Sequence, residues 1–202
     1  MTNRILTSFA ALGALALSTS ACATYGDDAM AGDTDMSSEM ASDVAMVGGA
    51  AMYPTMNIVE NASNSPIHTT LVASVQAAGL VDTLAGPGPF TVFAPTDAAF
   101  DKLPAGTVDT LLMPQNQSQL QSVLTYHVVS GTVMAGDLVD QIQAGGGSAT
   151  LTTVNGATLT ARMLGSNVVI VDGNGSASTV TQADVAQSNG VIHVVNSVLL
   201  PG

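Results

Sequence analysis

Basic side chains are almost missing from this chain: Arg4, Lys102 and Arg162 stand against 15 acids, for a formal charge of -12. Phosphate recognition needs clustered Lys and Arg, so no nucleic acid is expected as a partner, and the acidity serves solubility. Cysteine occurs once, at Cys22, which excludes a disulfide within the chain. With no Trp and four Phe in 202 residues, the core has to be built mainly from aliphatic side chains. Signatures of chemistry are absent as well. There is no G-x-S-x-G elbow and no H-E-x-x-H spacing, and the three histidines, His68, His127 and His193, lie far apart. Gly145, Gly146 and Gly147 are followed by no Lys-Ser/Thr and open no helix, so they read as a flexible loop and not a phosphate cradle. No catalytic residue, no cofactor and no metal site is expected.

What is present begins with MTNRILTSFAALGALALSTSAC. A basic residue, an apolar run from Ile5 to Leu17 and small residues before Cys22 have the layout of an export signal, too short to span a bilayer as a mature helix. The segment resembles a bacterial lipoprotein signal, which implies residues 1–22 as signal and Cys22 as the lipidated residue. Acyl chains there would hold the protein on a membrane. The expected location is the cell envelope, on an outer-membrane, periplasmic or surface face, or outside the cell if Cys22 is not lipidated. Residues 23–51 carry six acids and no base up to Ala50. They are too poor in apolar surface to offset their ordering entropy, and are expected to form a disordered tether. Met30, Met36, Met40, Met46, Met52 and Met56 recur through this stretch and just beyond. Because thioethers favour Cu(I), a periplasmic copper-handling or redox-buffering tail is the alternative function.

Residues 52–202 read as one folded α+β domain. Ser65 is predicted to cap a helix with Pro66 at its first position, Ile67, Leu71, Val75 and Ala78 on its buried face, and Gly79 as its stop. Phe90–Phe93 is predicted as a strand broken at Pro95, with Thr96 capping a short helix that holds Phe100 and Leu103. A further helix follows Asn116, with Leu120, Val123, Leu124 and His127 on one face, and runs into a strand at Val128 and Val129. The second half reads as antiparallel strands: ATLTTV and ATLTARM flank Asn155-Gly156, a strong hairpin signal, then VVIVDG, TVTQADVA and GVIHVV. His193 alternates with Val191 and Val195 and is expected as a satisfied or edge residue of a sheet. His68, beside the first helix cap, is expected to be exposed.

Three stretches carry a family resemblance: FTVFAPTDAAFDKLP (Phe90 to Pro104), LLMPQNQSQLQSVLTYHVVSG (Leu111 to Gly131) and NGVIHVVNSVLLP (Asn189 to Pro201). In this order and spacing they resemble the signatures of fasciclin-like domains, over about residues 52–202. The resemblance implies a β-sandwich or wedge of about seven strands with several packed helices. It also implies a non-catalytic adhesion or binding module whose partners are cell-surface or matrix proteins or polysaccharide. Tyr126 and His127 match the family's Tyr-His pair, a candidate contact motif. His127 on an apolar helix face points instead to a fold-supporting role, since a buried imidazole is ordinarily hydrogen-bonded to backbone groups.

Overall fold

The computed structural model describes residues 44–202. The expected signal 1–22, its Cys22 and the tether as far as Asp43 lie outside them. Ala45–Val47 (β1) and Ala50–Met52 (β2) form an antiparallel hairpin. Gly48 and Gly49 at its turn have φ of 60° and 88°, as a two-residue hairpin turn of this hand requires. Val47 and Met52 are buried in the domain core. The expected tether to residue 51 is thereby corrected at its end: once the acids stop at Asp43, alternating apolar residues suffice to dock the chain.

The first half is helical, with one strand through its middle. Helix α1 (Ile58–Asn64) starts at Asn57, whose side chain accepts from the Glu60 amide while Glu60 reaches back to the Asn57 amide. Helix α2 (Thr69–Ala78) starts later than Ser65-Pro66 predicts, because Ser65 closes α1 and the chain turns before Thr69. Its N-terminus is capped from a distance. Asp97 Oδ1 accepts from the Thr70 amide at 2.8 Å and Oδ2 from Thr69 Oγ1 at 2.8 Å. Burial works to raise the Asp97 pKa, but these hydrogen bonds outweigh it and hold the carboxyl below its ordinary value. Gly79, with φ 69°, ends α2 as expected. Then come α3 (Val81–Ala85), β3 (Phe90–Pro95), α4 (Asp97–Phe100), α5 (Thr107–Leu112), α6 (Gln117–Tyr126) and β4 (Val128–Ser130).

The second half adds α7 (Ala135–Ala144), β5 (Ser148–Thr152), β6 (Thr158–Leu164), β7 (Asn167–Val171), β8 (Ala177–Gln187) and β9 (Gly190–Val195). Helices α1, α3, α5 and α7 are not apparent from sequence periodicity. Gly145–Gly147 close α7, their amides bonding to carbonyls of Gln141, Gln143 and Ile142. The seven-stranded sheet has the order β4-β3-β9-β8-β7-β6-β5. From β5 to β9 neighbours are antiparallel as expected, but β9 also pairs in parallel with β3, Phe90↔Gly190 through Pro95↔Val195. A bridge between Val129 and Thr153 brings the two edges together, so the sheet is nearly closed.

The sheet separates two apolar clusters, and the period of two along β3 and β9 assigns their residues to opposite faces. Val92, Ala94, Ile192 and Val194 pack with α1, α2 and α6. Phe93 and Val195 face the other way, onto Leu159, Ile170, Leu199 and Leu138 of α7. Central strands covered on both faces explain the near-continuous apolar runs FTVFAP and GVIHVV.

Candidate functional site

Helix α6 places the Tyr-His pair. Leu120, Val123 and Leu124 bury its inner face, so its last turn is anchored beside the sheet. His127 is the C-cap and the chain passes directly into β4. Tyr126 and His127 are 1 % and 2 % exposed, so neither presents a surface to a partner. His127 Nδ1 lies 2.8 Å from the Val123 carbonyl, and Nε2 accepts from the Leu199 amide at 2.9 Å. These partners assign the neutral ring with its proton on Nδ1, donated to a carbonyl in the last turn of α6. Burial brings the His127 pKa down to about 4, against the opposing pull of the Val123 carbonyl and the Asp172 charge.

The Tyr126 hydroxyl donates to the Thr158 carbonyl at 3.1 Å and accepts from the Gly173 amide at 2.9 Å. Burial raises its pKa; the Gly173 hydrogen bond opposes this and the Asp172 charge adds to it. Asp172 is itself buried. Its Oδ1 accepts from the amides of Asn174 and Ser176 at 3.0 and 2.8 Å, and its Oδ2 from the Leu200 amide at 3.1 Å. Tyr126, His127 and Asp172 therefore tie α6, the start of β6, the β7–β8 turn and the segment after β9 into one network.

A second bridge uses His193, which is fully buried and stacked on Phe93 with ring centroids 5.7 Å apart. Its Nδ1 accepts from the Asp184 amide at 3.3 Å and its Nε2 lies 2.8 Å from the Val133 carbonyl, so the proton sits on Nε2. Burial lowers its pKa against the Val133 carbonyl and Asp184. Asp184, at φ 57°, sits at an irregularity of β8 and accepts from the Ala135 amide at 2.7 Å, fixing the start of α7. His68 departs from expectation: it is 2 % exposed, because the turn between α1 and α2 folds its ring inward to bond Ser65 Oγ at 2.8 Å. Burial lowers its pKa too, against Asp97 and the Ala94 carbonyl.

Sequence reasoning did not find Asp172, Asp184, Asn61 or Asn189. Asn61, fully buried, pairs both ways with the Tyr53 backbone and donates to Gln187. Asn189 accepts from the Ile58 amide and donates to the carbonyls of Leu84 and Gly86. Asp172 directly follows the apolar run VVIV, and no local pattern marks the other three. Among the described residues no group of three or more His, Cys, Asp or Glu is placed to hold a metal ion, and no helix is long and apolar enough to cross a membrane. Of the methionines, Met46 is exposed, Met52 is buried in the core and Met56 accepts from Asn64 through sulfur; Met30, Met36 and Met40 lie outside the described residues.

A family model described as "Fasciclin domain" matches residues 66–201. Protein sll1483 of Synechocystis is 45% identical over 157 residues, covering 78% of this chain and 80% of that protein. The cell surface glycolipoprotein MPB83 of Mycobacterium bovis is 34% identical over 160 residues, covering 77% of this chain and 64% of that protein. A solved FAS1 domain pair from the insect cell adhesion molecule Fasciclin I shares the fold, with TM-score 0.65 and 24% identity over 78% of this chain and 57% of that chain.

Proposed function

Since this chain belongs to the fasciclin-domain family, we propose that it is a non-catalytic binding module of the cell envelope, contacting surface or matrix proteins or polysaccharide. The observation that carries this reading is the use made of the polar core: Tyr126, His127 and Asp172 are buried and spend their polar atoms on main-chain groups. Side chains so engaged brace a scaffold, and contact with a partner falls to the strand edges and loops around it. Support comes from similarity to a relative described as a cell surface glycolipoprotein. In this reading Cys22 carries the lipid, residues 23–43 form the acidic tether and the folded module starts at β1.

The test has two arms. Partner capture from envelope extract and culture matrix is compared for the full chain and for a His127→Ala variant verified to be folded. Capture retained in both supports a binding module with His127 as a bracing residue; no capture by the full chain rejects it. Membrane fractionation of Cys22→Ser tests the anchor, and a variant that stays in the membrane fraction overturns the lipidation assignment.

A further inference from the structure

The ladder between β7 and β8 covers only Val169↔Thr179, Ile170↔Ser178 and Val171↔Ala177. Beyond it β8 runs on with β9 to Gln187, through register shifts at Val180/Gln182 and Gln182/Val185. Irregularities of this kind bend a strand and end its pairing. Asn167 and Val168 of β7 thus have no partner on β8, and Thr181 and Ala183 have none on β7. Between the diverging strands lies a cleft of about 480 Å³, with Gly136 and Asp140 of α7 in its wall. Two large apolar side chains adjoin it: Leu164, 71% exposed, pairs with Asn167 across the β6–β7 hairpin, and Met134, 37% exposed, precedes Ala135 of the lining.

We propose that this cleft is a strand-addition site for an extended, basic segment of another protein. This rests on the binding-module reading and gives it a place and a ligand chemistry. Diverging strand edges offer main-chain donors and acceptors to an added strand, and alternate side chains of that strand fall into the cleft or onto its rim. Charge selects the occupant. Asp140 is the one ionisable side chain lining the cleft, and neither Lys102 nor Arg162 does so. A Lys or Arg on the incoming strand is its complement. The chain's own residues 23–43, with six acids and no base, carry the wrong sign to fill it.

The experiment selects random heptapeptides displayed on phage against the detergent-solubilised full chain, then titrates synthetic versions of the enriched peptides. Two variants place the site. Gly136→Leu projects a side chain into open space, since a Cβ at Gly136 meets no atom within 4 Å. Asp140→Lys reverses the charge at an exposed position. The expected peptides alternate β-branched residues with Lys or Arg, bind at least about tenfold more weakly to Gly136→Leu, and give way to acidic peptides on Asp140→Lys. Both variants are checked for the wild-type Tm. A selection with no binders, or peptides that bind wild type and both variants equally, overturns the proposal. Envelope capture that persists in Gly136→Leu removes the cleft and keeps the binding-module reading. Peptide binding at the cleft without any envelope capture does the reverse.

Discussion

The Leu199 amide and the Val123 carbonyl meet through one imidazole, and a methyl group cannot replace it. His127→Ala leaves a buried donor and a buried acceptor unmatched, at about 1–3 kcal/mol each, so a loss of roughly 2–6 kcal/mol is expected in urea unfolding monitored by circular dichroism. Tyr126→Phe removes one hydroxyl from Gly173 and Thr158 and keeps the ring in its apolar cluster. Its expected cost is smaller, about 1–2 kcal/mol. A His127→Ala protein within 0.5 kcal/mol of wild type would contradict the bracing role. The adjacency of Tyr126 and His127 and the apolar face that carries them are visible in the sequence. Their partners are not, because Asp172, Gly173 and Leu199 are brought to them by the sheet, and no local pattern marks an Asp that will cap a distant amide. His68 shows the same limit: proximity to a helix start suggests exposure, and only the packing of α1 against α2 reveals that the ring turns in.

Strands β3 and β9 approach so closely at their first residues that a side chain does not fit between them. A Cβ on Gly190 would stand 2.0 Å from the Phe90 carbonyl oxygen. Gly190→Ala must push the central strands apart, and is expected to lower Tm by well over about 10 °C or prevent folding, against about 4–8 °C for each kcal/mol lost in a small domain. Gly136→Ala, with open space around its Cβ, is the control and should leave Tm unchanged or raise it. Local elements were largely legible: β3, α6, the hairpin around Asn155-Gly156 and the Gly79 stop follow from propensity, period and turn chemistry. The parallel β3–β9 pairing was not, since pairing partners across most of the domain leave no mark on either strand beyond an apolar run. Helix α7 was obscured by Gly136 and a preference for Asp and Gln, although Leu138 and Ile142 lie on one face of it and are buried.

Acid acts on the molecule as a whole. His68, His127 and His193 are all buried and all have lowered pKa values. The folded state keeps them neutral while the unfolded chain takes up protons below about pH 6.5, so stability is highest above that pH and falls as pH drops. For His127 the window extends down to about pH 4 and is worth on the order of 3 kcal/mol. Asp97, held below its ordinary value, adds a further loss at lower pH, as its cap on α2 is protonated. Urea midpoints at pH 7.5, 5.5 and 4.5 should decline in that order, and replacing His127 with Asn should flatten the decline; a flat wild-type profile would contradict the neutral assignments. The place of β9 sets a different constraint. The domain's last strand lies between β3 and β8 in the middle of the sheet, so a chain stopped at Gln187 should show no cooperative unfolding transition. Among the strands of this domain β9 is also the one synthesised last, so until it leaves the ribosome β3 has no parallel neighbour and the centre of the sheet stays open.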